Sequence, residues 1–386
     1  MRIVLCGSGD FGVPTLQAIL AAGHDVAALV TQPARPAGRG GHLRHTPLAQ
    51  AATAAGLRVL EIEKINRPES VAVIGELKPE VIVVVAFGQM IRAQVRELAP
   101  LGAFNLHASL LPELRGAAPI NWAVIRGYKR TGVTTFSLVD ALDAGPMYVQ
   151  AGMDISPEET VEDLKPLLAA LGAKAVCETL DLLAGGGAMP QPQDDSKATL
   201  APMLKKTDGV IDWKAPAETI RNLIHGTWPW PAAQAIFQHA DSPDKEIHVE
   251  FARARVAAEA KRVAGVSPAC GTGVPPVSGC STGILPVSSP LTPGQTKETE
   301  HGQDARETHG QDAHATQDAD KMSATHAGET PATQPGTVTA DLTVTTGEGT
   351  LQITRLQPAG KRVMEWRDFV NGYRVRPGDR FVGRIS

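Results

Sequence analysis

Gly102–His107 reads GAFNLH, an apolar run that ends with an amide and an imidazole two residues apart. Successive side chains of a β-strand point to opposite faces, so Asn105 and His107 project from the same face if residues 102–106 form a strand. Both polar groups then emerge at the carboxyl end of that strand, which is where open α/β sheets bind their ligands. The segment therefore predicts one strand of an α/β sheet and a ligand site at its end.

The residues after this run supply turns, a helix pattern and two charged groups. Ser109–Gly116 reads SLLPELRG, a turn-rich loop with one arginine, and an apolar helix pattern follows at Ala118–Ile125. Asp143 begins the tetrapeptide DAGP, whose turn formers hold its carboxylate at a fixed bend. Taken singly, a histidine at a strand end and an aspartate in a turn are common structural features. Of these side chains, the imidazole of His107 is the one best suited to exchange protons near neutral pH.

The N-terminal residues have the spacing of a dinucleotide-binding turn. Arg2–Cys6 is a short strand pattern, Gly7–Gly12 reads GSGDFG, and a helix pattern runs from Pro14 to Ala22. Dinucleotide-binding domains also carry an acidic residue about twenty positions later. Because no acid lies between Asp25 and Glu61, we interpret the turn as the tight connection of a Rossmann-like fold. A dinucleotide-dependent oxidoreductase is an alternative that the missing acid disfavours.

Further strand patterns and one long helix complete this first domain. Val26–Val30, Leu57–Leu60 and Val81–Ala86 are short apolar runs typical of buried parallel strands. Thr160–Ala184 has apolar residues at helical spacing and is followed by three glycines that end the helix. These patterns predict an α/β domain with a parallel sheet over residues 1–187 and a linker over 188–204.

The composition restricts the partners and the compartment. With 37 basic and 41 acidic residues the net charge is −4, so any surface for a polyanion must be local. The four cysteines show neither a CxxC pair nor the spacing of a disulfide framework, which is typical of reduced cytosolic thiols. The longest apolar run, Val81–Phe87, is too short to span a bilayer, and the N-terminus lacks a signal-peptide core. We therefore expect a cytoplasmic protein with no membrane partner.

Five spaced motifs around the opening segment carry a family resemblance. They are NxH at Asn105–His107, SLLPxxRG at Ser109–Gly116, PxxWA at Pro119–Ala123, TGVT at Thr131–Thr134 and DxGP at Asp143–Pro146. Together these motifs resemble the folate-dependent formyltransferases. The resemblance implies a formyl donor, 10-formyltetrahydrofolate, and a catalytic set of Asn105, His107 and Asp143, with no metal. It also implies that a further group shapes the folate pocket, namely Ser109, Leu110, Leu111, Pro112 and Arg115.

The chemistry of formyl transfer suits these residue types. Asn105 offers an uncharged N–H donor for an oxyanion, and His107 exchanges protons near neutral pH. Asp143 either orients His107 and stabilises its protonated form, or acts through a water on the amine proton. The sequence leaves both roles open.

A basic segment distinguishes branches of this family. Thr31–Pro47 is rich in proline and glycine, so we expect a long surface loop without helix or strand. It contains Arg35, Arg39 and Arg44 and no acid, which is typical of a loop that reaches a phosphate backbone. The segment is similar to the loop with which methionyl-tRNA formyltransferases hold the tRNA acceptor arm.

A second domain is expected over residues 205–386. DGVIDW at Asp208–Trp213 and a helix pattern at Ala217–His225 resemble the C-terminal half of methionyl-tRNA formyltransferases, which implies a small OB-like β-barrel. The same resemblance implies that Lys205 and Lys206 contact tRNA phosphates. We expect barrel strands at Ile247–Val256 and Val338–Val344.

A low-complexity segment interrupts this second domain at about residues 263–334. Two direct repeats lie in it, and its composition cannot bury an apolar face, so we expect a disordered insertion. Its histidines together with Cys270 and Cys280 fit no metal-site spacing. The sequence does not indicate a function for the insertion.

The resulting prediction is a monomeric enzyme that transfers a formyl group to the amino group of methionyl initiator tRNA. A formyltransferase acting on an amino sugar nucleotide or another small amine is the alternative within the family. A non-catalytic tRNA-binding protein is a further alternative, but such a protein would have no use for Asn105, His107 and Asp143 together.

Overall fold

The computed structural model describes residues 1–37, 41–257 and 334–383 of the chain. Within them the strands, in chain order, are β1 (Arg2–Gly7), β2 (Asp25–Thr31), β3 (Arg35–Ala37), β4 (His42–Arg44), β5 (Val59–Glu61), β6 (Val81–Val85), β7 (Ala103–His107), β8 (Arg130–Ser137), β9 (Met147–Asp154), β10 (Ala233–His239), β11 (Ser242–Val256), β12 (Val344–Thr345), β13 (Thr350–Pro358), β14 (Met364–Glu365) and β15 (Arg380–Val382). The α-helices are α1 (Val13–Ala21), α2 (Pro47–Ala54), α3 (Pro68–Glu76), α4 (Ala93–Arg96), α5 (Pro119–Ile125), α6 (Val161–Ala184), α7 (Ala217–Thr227) and α8 (Trp366–Tyr373).

The first sheet confirms the Rossmann-like prediction. Its seven strands run in the order β5-β2-β1-β6-β7-β8-β9, and the strands from β5 to β7 are parallel. The last two strands, β8 and β9, are antiparallel additions at one edge. β2 and β5 lie on one side of β1, and β6 and β7 lie on the other, so the direction in which strands are added reverses at β1. The ligand crevice of such a sheet lies at the carboxyl ends of the strands around this reversal, here β1, β6 and β7.

Local sequence signals account for the position of the long helix. The Thr160 hydroxyl accepts the backbone N–H of Asp163, and the Asp163 carboxylate accepts the N–H of Thr160, which is a capping box. The buried side of α6, which includes Leu164, Leu168 and Val176, packs on the sheet. The predicted helix is therefore confirmed at both ends. In the described residues no helix is both long and apolar enough to cross a membrane.

The prediction that Thr31–Pro47 contains no strand is wrong. β3 and β4 form an antiparallel hairpin in which Arg35 pairs with Arg44 and Pro36 with Leu43. A two-stranded ribbon tolerates a proline at a position where its N–H is not needed for the ladder, which is why Pro36 does not prevent pairing. Residues 38–40, including Arg39, lie outside the described residues.

The C-terminal sheet is antiparallel and curls on itself, as expected for an OB-like domain. Its strand path is β12-β13-β11-β10-β15, with β14 paired to β13. Thr337 bridges to Arg380 at one edge, and its neighbour Val338 bridges to Val344 at the other. These two bridges join the edges of the sheet around an aromatic core, whose members are Phe237, Phe251, Phe369 and Phe381 together with Trp213.

The predicted strand Val338–Val344 is not observed. Val338 makes a single bridge, and the chain then turns, with the N–H of Leu342 donating to the Thr339 carbonyl. Leu342 has a φ of 57°, which is incompatible with a continuous strand. Only Val344 and Thr345 continue as β12, because the turn consumes the residues before them. The expected disordered insertion, with its histidines, Cys270 and Cys280, falls within residues 258–333, outside the described range.

Removing residues 258–333 is expected to leave the barrel folded. Val256 pairs with Leu351 on one side of β13, and Thr345, on the other side, donates to the Gln334 carbonyl. Gly336 donates to the Thr345 carbonyl on the outer side of β12, so the two ends are about three strand spacings, roughly 15 Å, apart, which a linker of about eight residues can bridge. Shortening a loop about tenfold lowers its closure cost by roughly 2 kcal/mol, so the thermal midpoint should equal or exceed that of the parent. A deletion variant that is insoluble or melts lower would show that the segment packs on the rest of the chain.

The two sheets are connected by α7, which packs on α5. The carbonyl of Gly226 accepts the side-chain amide of Asn121, and a Cβ at Gly226 would meet Ile125 Cγ1 at 2.4 Å. Only glycine therefore permits this approach of the helices. The preceding residue, His225, is 1% exposed, and its Nε2 accepts the backbone N–H of Ala254.

Acid is expected to destabilise the chain through His225. Burial, and then the positive charges of Arg221 and Arg253, lower the pKa of His225 to about 4, while the negative charge of Glu158 opposes this. The unfolded chain thus binds this proton at higher pH than the folded chain, so stability is complete above about pH 6.5 and is lost as pH falls toward 4. His225→Gln keeps an acceptor but cannot titrate, and it should remove roughly 2 kcal/mol of the loss between pH 7 and pH 5. Urea unfolding of both proteins at pH 7 and pH 5 measures the free energy of unfolding that each loses. Equal losses in the parent and in His225→Gln would contradict the role of His225.

Candidate active site

Asn105 and His107 lie at the carboxyl end of β7, as the sequence predicts. Asn105 pairs with Val84 of β6 and Phe136 of β8, so the site lies inside the sheet rather than at its edge. His107 is 5% exposed and Asn105 is half-buried. Because the two residues are two apart on a strand, their side chains share one face.

The histidine is fixed by a backbone acceptor. His107 Nε2 lies 2.9 Å from the carbonyl oxygen of Leu114, and a carbonyl can only accept, so this nitrogen carries the proton. In the neutral ring the other nitrogen, Nδ1, then has a free lone pair. That nitrogen faces the carboxylate of Asp143, with Nδ1 and Oδ2 separated by 3.7 Å. The third predicted residue therefore lies next to His107.

Asp143 is held in an unusual backbone conformation. Its φ is 49°, in the left-handed region that aspartate tolerates better than most residues. The carboxylate oxygen Oδ2 accepts the backbone N–H of Gly116 at 2.8 Å. At the next glycine of the turn, Gly145, a Cβ would lie 1.7 Å from the Ser137 carbonyl oxygen, so no side chain fits there. The turn is thus pressed against β8 and points one carboxylate at His107.

Electrostatics favour a neutral histidine. Burial lowers the pKa of His107 below its ordinary value, while the charge of Asp143 and the hydrogen bond to Leu114 oppose that effect. His107 is accordingly unprotonated at neutral pH, and a proton arriving at Nδ1 would be stabilised by Asp143.

The loop after β7 is held from the neighbouring strands. The Ser109 hydroxyl donates to the Glu113 carbonyl, and the Thr134 hydroxyl donates to the Ser109 carbonyl at 2.7 Å. Thr134 Oγ1 also accepts the N–H of Leu111, whose carbonyl accepts the side-chain amide of Gln150. Leu110 and Pro112 are half-buried, and the Leu111–Pro112 peptide is cis. The loop shape predicted to line a folate pocket therefore depends on Thr134 and Gln150, which the sequence interpretation missed.

The Arg115 side chain is hydrogen-bonded to two residues of the segment predicted to be a linker, Gln193 and Asp195. Its Nε and Nη2 donate to Gln193 Oε1 at 3.0 and 2.7 Å, and Nη2 also donates to Asp195 at 2.7 Å. The guanidinium is 11% exposed. Its predicted part in the folate pocket stays a prediction.

The segment predicted to be a linker crosses directly over the site. The backbone of Arg115 exchanges hydrogen bonds with Thr199 and Ala201, and Thr199 Oγ1 accepts the N–H of Leu114. A Cβ at Gly116, where φ is 127°, would lie 2.6 Å from the Ala201 carbonyl oxygen. The linker thus fixes Leu114, whose carbonyl holds His107, and Gly116, whose N–H holds Asp143.

The four predicted tRNA-contacting residues that the structure describes, Arg35, Arg44, Lys205 and Lys206, form two exposed groups. Arg35 and Arg44 lie opposite each other on the hairpin, and neither makes an ion pair with an acid in the part of the chain that is described. Glu61 is close to this region but is hydrogen-bonded to His45 at 2.6 Å. Lys205 and Lys206 are exposed at the start of the C-terminal domain.

No cluster of three or more potential metal ligands occurs in residues 1–37, 41–257 and 334–383. Cys6 is completely buried in β1. Its thiol pKa is raised by burial, which makes it unreactive.

Family models match both halves of the chain. The model described as "Formyl transferase" matches residues 1–180, and the model described as "Formyl transferase, C-terminal domain" matches residues 203–274 and 312–374. The two matches leave 181–202, which contains the segment over the site, outside both models.

Similar proteins agree with these matches. The chain is 46% identical over 260 residues to methionyl-tRNA formyltransferase of Solibacter usitatus, covering 67% of this chain and 82% of that protein. It is 37% identical to methionyl-tRNA formyltransferase of Koribacter versatilis over 100% of both chains. The fold is also similar to a crystal structure of HypX from Aquifex aeolicus in complex with tetrahydrofolic acid. That match has a TM-score of 0.54 and 13% identity, over 97% of this chain and 47% of HypX.

Proposed function

This chain belongs to the formyl transferase family, and we propose that it transfers the formyl group of 10-formyltetrahydrofolate to the amino group of methionyl initiator tRNA. One relative similar over the full length and another similar over 260 residues carry the name methionyl-tRNA formyltransferase. The observation that carries the proposal is the group at the end of β7, where the half-buried amide of Asn105 and the buried imidazole of His107 share one face and the Asp143 carboxylate lies 3.7 Å from the imidazole.

The arrangement supports direct attack of the amine on the formyl carbon. A carbon–nitrogen bond forms between the substrate amine and the formyl carbon, which gives a tetrahedral oxyanion. Asn105 would donate an N–H to that oxygen, an interaction typically worth about 3–4 kcal/mol in comparable sites. The bond to N10 of the folate then breaks, and the formylated amine and tetrahydrofolate leave.

His107 would carry the proton during this exchange. Its Nδ1 accepts the proton that the attacking amine must lose, because Nε2 is already occupied by the bond to Leu114. The same proton can then pass to N10 of the leaving folate, so that charge and protons balance. Of the two roles that the sequence leaves open for Asp143, the 3.7 Å separation from Nδ1 favours stabilisation of the imidazolium.

The basic hairpin suits a polyanionic substrate. Arg35 and Arg44 are cross-strand neighbours, and like charges in that position repel each other unless an anion lies between them. A phosphate of the tRNA backbone would supply that charge, with Arg39, Lys205 and Lys206 as further proposed contacts. An amino sugar nucleotide as acceptor, the alternative, is not favoured, because the similar proteins from Solibacter and Koribacter are methionyl-tRNA formyltransferases.

Folate and tRNA would meet on a single chain. Asn105, His107 and Asp143 all come from one chain, so a monomer has a complete catalytic set. Since translation initiation takes place in the cytoplasm, we place the reaction there.

The direct test is to incubate the protein with 10-formyltetrahydrofolate and, in parallel, methionyl initiator tRNA, an amino sugar nucleotide or simple amines. We expect formylmethionyl-tRNA as the dominant product. Formylation of the sugar nucleotide at a higher kcat/KM than the tRNA would reverse the assignment of the acceptor. Absence of any formylated product would contradict the enzyme class.

A further inference from the structure

A single side chain of the crossing segment, Gln193, touches both the Asp143 turn and Arg115. Its Nε2 lies 2.8 Å from the Asp143 carbonyl oxygen and 2.8 Å from the Gly145 carbonyl oxygen. An amide nitrogen has two N–H groups, so both carbonyls can be bonded at once. Its Oε1 accepts two hydrogen bonds from the guanidinium of Arg115.

The position of Gln193 is itself fixed. Two residues earlier, Gln191 exchanges backbone hydrogen bonds with Met147, each 2.8 Å long, so the segment continues along the start of β9. From there Gln193 is half-buried and reaches the turn from the side opposite β8. The turn is therefore held on one side by Ser137, whose N–H donates to the Pro146 carbonyl, and on the other by Gln193.

These hydrogen bonds act where the backbone is under strain. Asp143 has a positive φ, which a non-glycine residue keeps only if its surroundings enforce it. Loss of the two bonds from Gln193 would let the turn relax toward an ordinary conformation. Relaxation would move the Asp143 carboxylate relative to His107 Nδ1, because carboxylate and backbone rotate together.

We propose that Gln193 is a positioning residue for formyl transfer, which holds the Asp143 carboxylate at His107 by bridging the Asp143 turn to Arg115. This role rests on the proposed function. Gln193 lies in residues 181–202, between the two family-model matches. The proposal therefore assigns a role in the active site of the catalytic domain to a residue outside both matches.

Two variants separate the two ends of the Gln193 amide. Gln193→Glu keeps an acceptor for Arg115 but has no N–H for the Asp143 and Gly145 carbonyls, and Gln193→Met keeps the approximate shape without polar contacts. We expect kcat to fall about tenfold in both, as for a small displacement of a catalytic group, with KM for the tRNA unchanged. Asp195→Asn is the matched control, because it removes the exposed charged partner of Arg115 and leaves Gln193 in place; its kcat should equal that of the parent.

A double-mutant cycle distinguishes positioning from general destabilisation. If Gln193 acts through Asp143, adding Gln193→Met to Asp143→Asn should cause no further loss of kcat, whereas unrelated effects multiply. The same tenfold loss in both backgrounds, or a Gln193→Met enzyme with parental kcat, would overturn the proposal.

A measurement without substrate tests the same geometry independently of the activity. His107 faces the Asp143 carboxylate, the Leu114 carbonyl, the edge of Phe136 on β8 and the uncharged Thr134, so Asp143 is the charged group that raises its pKa in the described chain. Titration of the imidazole signals by NMR should therefore show the His107 pKa lowered further in Gln193→Met and unchanged in Asp195→Asn. An unshifted His107 pKa in Gln193→Met would overturn the role of Gln193, whereas a parent that forms no formylated product would contradict only the proposed function.

Discussion

Replacement of His107 by alanine is expected to lower kcat for formyl transfer by about a hundredfold or more, because the attacking amine loses its proton acceptor. Asn105→Ala should have a loss of similar size through the missing oxyanion donor, and so should Asp143→Ala through the unstabilised imidazolium. Single-turnover assays with methionyl-tRNA measure these losses without a contribution from product release. A His107→Ala enzyme with near-parental kcat would remove His107 from the mechanism.

The pH dependence provides a second readout for the same residue. Because burial lowers the pKa of His107, the neutral base persists below the ordinary histidine value near 6.5. The acid limb of the kcat profile should therefore lie below pH 6.5, and Asp143→Asn should move it to still lower pH, since the charge that opposes the shift is lost. Folded protein should be verified by circular dichroism at each pH, because His225 also loses its neutral form in acid.

Neutralising the hairpin arginines is expected to weaken tRNA binding and to leave folate binding unchanged. Removing one arginine–phosphate interaction should flatten the dependence of log affinity on log salt by about one unit. For the triple variant Arg35→Ala, Arg39→Ala, Arg44→Ala, the affinity at about 0.1 M salt should fall roughly a hundredfold or more. The measurement is the tRNA dissociation constant at several salt concentrations, together with KM for 10-formyltetrahydrofolate.

A matched control exists outside the hairpin. Arg58 is exposed and lies before β5, so Arg58→Ala removes one charge without touching the ribbon. If Arg35→Ala flattens the salt dependence and Arg58→Ala does not, the interaction with tRNA is local to the hairpin. If the plots of log tRNA affinity against log salt concentration coincide for the parent and the triple variant, the hairpin does not touch tRNA. The small-amine alternative would then regain support.

Local patterns predicted the elements that bring the catalytic residues together. The alternation in GAFNLH placed Asn105 and His107 on one face, and the structure has them at the end of β7. The helical spacing of apolar residues over Thr160–Ala184 predicted α6, and the structure has it at Val161–Ala184. The hairpin of β3 and β4 was missed because a segment rich in proline and glycine was taken to exclude any strand. That rule holds for central strands, whereas a two-stranded ribbon has positions at which the missing N–H of Pro36 costs nothing.

The fold class could be predicted from the sequence, because strand alternation, helical periodicity and turn chemistry act between residues close in the chain. The proposed catalytic residues were identified through the resemblance of their motifs to the folate-dependent formyltransferases. How these groups are held could be seen only in the folded chain. Gln193 reaches Asp143 across 50 residues and Arg115 across 78. Thr134 and Gln150 likewise hold the loop after β7 from neighbouring strands. Such hydrogen bonds depend on which backbone carbonyls the packed chain brings within about 3 Å of an amide or hydroxyl, and no local pattern encodes that distance.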